Sequence, residues 1–354
     1  LATAQAEIGL PAEVVAGFVD GAVNGLLGLQ QGREAALCLV PVGAGGSLQE
    51  FPRDSGEQSA APPPLPVAAP GDADDGVIEY PEIRRIHHAS CLAADGEVAA
   101  WRAGAAALSH LVGEGRTREK PQNYSPGPTA ASPPTTRFPL SKGGATSAPL
   151  AQAVLGRVST RRFSREPLPF SKLSSILQEA TKRPPADFNR PGGEGLVDTY
   201  VIASAVEGLP SGAYFFSPRD GELELLKEGA FREEAGHLCF EQALGADASA
   251  VLFVMSDLER VLAGLGSRGY RAAQLEAGIV VGNVYLCAQS LGLGASGVTF
   301  YDDEVTAFFS PHAGGKSVMF VTVLGATHLK NQVRPFRSRV AAMLDALARG
   351  ASGA

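Results

Sequence analysis

The chain repeats itself. Phe18-Val19-Asp20 near the start recurs as Phe300-Tyr301-Asp302 near the end, 282 residues on. The offset holds without a gap to Leu39-Val40-Pro41-Val42-Gly43, which returns as Val321-Thr322-Val323-Leu324-Gly325. Along it Phe18, Asp20, Val23, Gly32 and Gly43 match Phe300, Asp302, Val305, Gly314 and Gly325. Just upstream, after a one-residue slip, Gly9-Leu10-Pro11-Ala12 resembles Gly292-Leu293-Gly294-Ala295. A repeated stretch marks a repeated structural unit, so it constrains the fold before any single element does. It predicts that residues 1–43 are the end of one module and that a complete second copy occupies 151–345. The sequence starts at Leu1, inside what reads as a helix, so the expectation is a tandem protein shortened at its N-terminus.

Between the copies the composition changes twice. Residues 44–80, with Pro62-Pro63-Pro64, are too rich in Gly, Pro, Ala and Asp to build a core and read as a linker. Residues 81–113 regain apolar signals and hold the single tryptophan, Trp101, which suggests a segment docked onto a module. Residues 114–150 read as a second linker.

From 151 onward regular elements are expected. Ser171 reads as the cap of a helix carrying Leu173, Ile176, Leu177 and Ala180 at helical spacing, ended by Pro184-Pro185. Thr199–Ala203 and Ala213–Phe216 read as strands, Pro218–Gly221 as a turn, and Leu223 and Leu225 as alternating positions of the next strand. Ser249–Met255 is a continuous apolar run, Arg271–Leu291 a long buried helix, and Ser317–Leu324 a last strand. Helices and strands mix without an even βαβ rhythm, which predicts an α+β layered fold with a mixed, mainly antiparallel sheet.

Composition excludes some functions. A net charge of −7 with no basic stripe argues against a nucleic-acid binder. Cys38, Cys91, Cys239 and Cys287 form no CxxC pair, which suits reduced thiols in a cytoplasm. The apolar stretch around Ile279–Leu286 is too short to span a bilayer, so no membrane partner is expected. His87-His88 with Cys91 lacks a further ligand at sensible spacing, so no metal site is expected.

Three constellations could carry chemistry. In Arg157-Val158-Ser159-Thr160-Arg161-Arg162-Phe163, guanidinium forks with an intervening hydroxyl suit a phosphate; a solvated basic turn is the alternative. Gly292-Leu293-Gly294-Ala295-Ser296-Gly297 reads as a Gly-rich loop that lets backbone approach a flat ligand, or as a plain helix stop. Arg268-Gly269-Tyr270-Arg271 opens the long helix, and Gln274 and Glu276 carry polar groups into it, a structural network or a site. Asp302-Asp303 reads as the acidic start of a helix.

Together these motifs resemble the FMN-dependent nitroreductase superfamily, in particular its SagB/ThcOx-type dehydrogenase branch. The resemblance also takes in Gly208-Leu209, Gly212-Ala213-Tyr214, Thr299-Phe300-Tyr301 and Ser310-Pro311-His312-Ala313. It implies a nitroreductase-like fold with FMN at an interface between two modules, supplied by a homodimer or by the missing first copy. Arg157 and Ser159 would grip the flavin phosphate and ribityl chain, and Arg161 would face the N1/O2 edge of the ring. Gly294, Ala295, Ser296 and Gly297 would supply backbone contacts to the ring, and Arg337 and Arg339 would complete the phosphate site. Gly192 and Gly193 stand where the family often has Pro-Ser-Ala-Gly; their backbone can still approach the flavin.

Azoline-oxidising members carry a Lys-Tyr pair just before Arg-Gly-Tyr-Arg, where this chain has Gly264 and Leu265. Neither side chain moves a proton, so azoline oxidation is not expected. The resemblance implies an FMN-dependent oxidoreductase passing hydride through flavin N5, with a small-molecule or peptide substrate and NAD(P)H as a candidate donor. No catalytic side chain is assigned. The alternative is a degenerate scaffold or partner subunit in a peptide-modifying, azole-forming complex.

Overall fold

A computed structural model describes residues 9–30, 32–43, 78, 80–110, 136–141, 149–189 and 195–327. In chain order its helices are α1 (Asp20–Leu26), α2 (Pro81–Ala89), α3 (Asp95–His110), α4 (Leu150–Gly156) and α5 (Phe170–Ala180). They continue with α6 (Arg232–Leu238), α7 (Ala243–Asp247), α8 (Leu258–Leu265), α9 (Arg268–Ser290) and α10 (Asp302–Phe309). The strands are β1 (Arg137–Pro139), β2 (Leu168–Pro169), β3 (Asp198–Ala203), β4 (Val206–Glu207) and β5 (Gly212–Ser217). After them come β6 (Glu222–Glu228), β7 (Ala250–Ser256), β8 (Gly294–Val298) and β9 (Ser317–Gly325).

The chain forms two compact units. The first is Leu1–Arg118 with Arg183–Leu196 and Leu258–Ala273; the second is Glu119–Lys182, Val197–Asp257 and Gln274–Ala354.

The second unit holds a seven-stranded sheet in the order β1-β6-β5-β3-β7-β9-β8, with every neighbouring pair antiparallel. The short pair β2–β4 is parallel, so the α+β, mainly antiparallel expectation holds. Alternation along the strands sends side chains to opposite faces. On β7, Ala250 and Leu252 join one core with Leu173, Ile176 and Leu177 of α5 and Val284 and Ala288 of α9. Val251, Phe253 and Met255 join the other with Ala235 and Leu238 of α6 and Val305 and Phe309 of α10. This explains the uninterrupted apolar run: β7 is buried on both faces.

Three local readings change. Ser171 lies inside α5, whose cap position is Pro169 at φ −60°, with no side-chain cap. Proline's fixed φ sets the entry to the helix, and the Ser171 carbonyl accepts the Ser175 hydroxyl instead. The Gly-rich stretch is strand from Gly294 onward, not loop, because its small residues pack closely against neighbouring chain. Strand β1 lies within the stretch read as a second linker, held by Phe138 packed edge-on against Tyr214 and by the Arg137–Glu222 ion pair. The rest of that linker's Pro- and Ser-rich run, and nearly all of 44–80, lie outside the described residues.

In the first unit Val15 and Leu39 exchange both backbone hydrogen bonds at 2.9 Å, Ala12 bridges Val42, and α1 begins at Asp20. Trp101 of α3 is 6 % exposed. Asp20, 3 % exposed, is the centre of a charge cluster. Its Oδ2 accepts from Arg268 Nη1 at 2.6 Å and from the Leu92 N–H at 2.8 Å; its Oδ1 accepts from Arg271 Nη1 at 3.0 Å. Arg268 also donates to the carbonyls of Ala16 and Ser90, and Arg271 to the Ser90 hydroxyl. The arginines that open the long helix are therefore structural, a role the sequence left open. His87, one of the two histidines weighed as metal ligands, sits 3.2 Å from Arg271 Nη2 through Nδ1.

Candidate functional site

The Arg157–Arg162 run leaves α4 and crosses the edge of β8 in the second unit. Thr160 donates its N–H to the Ala295 carbonyl at 2.9 Å, and Ser159 bridges Ala295 in parallel. Anchored this way, the run walls an open cleft enclosing about 460 Å³, solvent side included. Arg157, Ser159, Thr160, Arg161, Arg162, Gly294 and Ala295 all line it. The sequence therefore pointed at residues that the fold gathers: the Arg-Ser-Arg set and the start of the Gly-rich stretch share one cleft.

Arg157, Arg161 and Arg162 are exposed, and none is paired with a carboxylate among the described residues. Three uncompensated guanidinium groups beside two hydroxyls, on a chain of net charge −7, make a site for an anion. The Arg157 guanidinium lies 5.1 Å from the centroid of the Tyr285 ring, a cation–π contact that fixes its direction.

Tyr285, Gln289 and Thr327 also line the cleft and were not singled out from sequence. The first two are four apart on α9, so one helix face carries both. That polar pair, next to an apolar stripe, was the available signal. The Tyr285 hydroxyl accepts the Gly297 N–H and lies 3.4 Å from Ser159 Oγ, tying the helix to both walls. Ser296 is 1 % exposed and its hydroxyl turns to the Gly297 carbonyl. Gly192, Gly193, Arg337 and Arg339 lie outside the described residues.

Gly294 has a packing reason to be glycine. A Cβ there would lie 2.3 Å from Thr160 Oγ1 and 2.4 Å from Thr327 Cγ2. Gly294→Ala should therefore push the arginine run off β8, at a cost of about 1–3 kcal/mol. A lowered urea midpoint would show it; a wild-type midpoint would mean that Thr160 yields freely.

The nitroreductase family model matches residues 154–325. MJ1384 of Methanocaldococcus jannaschii, named as a nitroreductase, is 31 % identical over 161 residues, covering 44 % of this chain and 81 % of its own. The chain belongs to the nitroreductase family. Family membership makes its general chemistry oxidoreduction and its cofactor FMN.

A crystal structure from Anabaena variabilis, described as a nitroreductase, shares the fold with a TM-score of 0.63 at 24 % identity. It covers 90 % of this chain, which spans 61 % of that longer one. An NADPH:FMN oxidoreductase from Vibrio harveyi is more distant, at 18 % identity, TM-score 0.37, and 52 % and 72 % coverage.

The cleft fits the group the family binds. Its uncompensated arginines and hydroxyls suit a phosphate, and residues of α9 and β8 form the adjoining wall. Gly264 and Leu265 are at the end of α8, and Gly264 packs on Leu108. No helix among the described residues is long and apolar enough to cross a membrane.

Proposed function

We propose that this protein is an FMN-dependent oxidoreductase of the SagB/ThcOx type, built as a tandem of two nitroreductase-like modules. The observation that carries the reading is the cleft in which Arg157, Arg161 and Arg162 stand without acidic partners beside Ser159 and Thr160. Cations gathered in one cleft without acidic partners are complementary to a bound anion.

Within it Arg157 and Ser159 would hold the flavin phosphate and ribityl chain. Arg161 would set a cation beside the N1/O2 edge of the ring, where it would stabilise the negative charge of the reduced flavin. Bound FMN would supply the redox chemistry, accepting hydride at N5 from a donor and returning it to a second substrate. The protein contributes orientation and charge, and no side chain is required as a nucleophile. A small-molecule or peptide substrate and NAD(P)H as donor fit this scheme. Gly264 and Leu265 keep azoline oxidation out of it.

The tandem reading draws support from register. Counted with the 283-residue offset of the upstream repeat and the 282-residue offset of the downstream one, Ala12–Val42 and Val15–Leu39 correspond to Ala295–Leu324 and Val298–Val321. Helices α1 and α10 begin at the matching Asp20 and Asp302. Hence residues 9–43 repeat the β8–α10–β9 unit in sequence and in pairing. The second module of the site is then the first copy of the tandem or a homodimer partner.

The test is the visible spectrum of the purified protein, with the released chromophore identified by mass spectrometry. Stoichiometric FMN supports the reading. A colourless protein that takes up no added FMN would favour the scaffold role in a peptide-modifying complex.

A further inference from the structure

One side chain of α9 touches both of the groups expected to hold an anion. The Tyr285 hydroxyl lies 3.4 Å from Ser159 Oγ, and the Tyr285 ring carries the Arg157 guanidinium 5.1 Å from its centroid. The hydroxyl has a further neighbour, the Gly297 N–H of β8.

These contacts fix the direction of the hydrogens. An amide N–H can only donate, so the phenol oxygen accepts from Gly297 and its own hydrogen has to go elsewhere. Among the described residues the Ser159 oxygen is the one acceptor in reach. Ser159 therefore accepts from Tyr285 and keeps its own hydrogen, which no acceptor among the described residues takes. That hydrogen is left for whatever occupies the cleft that Ser159 lines. Arg157 beside it is a donor by nature, with no lone pair to offer. Here the wall presents donors, both directed by one tyrosine, and a phosphate dianion, which only accepts, fits them.

We propose that Tyr285 is the positioning residue for the anion end of the cleft. Its hydroxyl turns Ser159 into a donor and its ring aims Arg157, so that both act on one phosphate. That the phosphate is the flavin's rests on the FMN reading above; the order of donors does not. At 3.4 Å the Tyr285–Ser159 contact is longer than a full hydroxyl hydrogen bond, so it can tighten when an anion draws on Ser159.

Tyr285→Phe keeps the ring and removes only the hydroxyl. Measured by flavin fluorescence on the whole chain, it should weaken FMN about 3- to 10-fold, the range of one net hydrogen bond, and leave riboflavin unchanged. Ser159→Ala should weaken FMN at least as much. In the Ser159→Ala background, Tyr285→Phe should then add less than about twofold, because it acts through the serine. Tyr285→Leu, which also removes the ring, should weaken FMN beyond Tyr285→Phe, and this further loss should vanish in Arg157→Ala. A second readout needs neither FMN nor a change at Tyr285. Inorganic phosphate should shift the Gly297 amide proton downfield in NMR spectra, as a tightened chain polarises that N–H, and Ser159→Ala should abolish the shift.

Unchanged FMN affinity in Tyr285→Phe, or an equal loss of riboflavin, overturns this inference and leaves the FMN reading standing. A loss that persists in full in the Ser159→Ala background makes Tyr285 a packing residue and overturns it too. If wild type binds no FMN, the functional reading falls and the Gly297 shift decides this inference by itself. A shift present in wild type and absent in Ser159→Ala keeps the donor order, and a Gly297 amide indifferent to phosphate ends it.

Discussion

Asp20→Ala is expected to be the most destabilising single change in the first unit. The carboxylate is 3 % exposed and compensates Arg268 and Arg271, whose side chains are 1 % and 9 % exposed. Removing one partner of a buried ion pair leaves the other charge unpaired in a poor solvent, which typically costs about 3–5 kcal/mol. Against a total stability of about 5–15 kcal/mol, that is enough to depopulate the fold at modest denaturant. Asp20→Asn should recover only part of the loss. Its amide NH2 would replace a carboxylate oxygen that accepts from an arginine or from the Leu92 N–H.

The same cluster carries a pH dependence. Burial pushes the Asp20 carboxyl up, but the Leu92 N–H and the two arginines outweigh it, and the net shift is downward. A carboxyl whose folded pKa lies below its unfolded value, about 3.9, stabilises the protein fully above that value. Its contribution is lost as pH falls through the folded pKa. The gap between the urea midpoints of wild type and Asp20→Asn, measured from pH 6 down to pH 3, should therefore narrow towards the acid end. A constant gap across the range would remove Asp20 from the acid response.

Much of the second unit is legible in the sequence because its signals are local. The β7 run, the α5 spacing and the turn before β6 each lie within one element, so period and length suffice. The Arg157–Arg162 run is legible for the same reason. The Asp20 cluster is not, because its partners are 248 and 251 residues away. The repeat even misdirects here. Asp302, the counterpart of Asp20, accepts the Val318 N–H at 2.7 Å and pairs with no arginine among the described residues. Sequence identity at a repeat position fixed the helix start in both copies and left the carboxylate's work to the surroundings.

The cleft shows the complementary limit. Tyr285 looks like one more apolar position of α9 until the fold brings Arg157, Ser159 and Gly297 around its ring and hydroxyl. Gly294 looks like a loop residue until Thr160 and Thr327 fill the space a Cβ would need. Helical period says which face a residue occupies. What crosses that face is decided by tertiary structure.

The largest functional effect is expected from the arginines of the cleft, and the two single variants should separate phosphate from ring. A charge-assisted hydrogen bond contributes about 1.5–3 kcal/mol, so each of Arg157→Ala and Arg161→Ala should weaken FMN binding by roughly 10- to 100-fold. The double variant should lose FMN on gel filtration. Both side chains are exposed, so the fold should hold, with stability changes within about 0.5 kcal/mol for Arg161. Arg157 should cost somewhat more, because it also gives up its contact with Tyr285, worth about 0.5–1 kcal/mol. Riboflavin, which lacks the phosphate, supplies the discriminating comparison. If Arg157 grips the phosphate, Arg157→Ala should bind riboflavin as wild type does while losing FMN. If Arg161 faces the ring, Arg161→Ala should lose affinity for both to the same extent. Rising salt should weaken FMN more than riboflavin in wild type, and this difference should vanish in Arg157→Ala, since exposed charge pairs are screened. Retention of FMN by the double variant at wild-type affinity would take the cofactor out of this cleft.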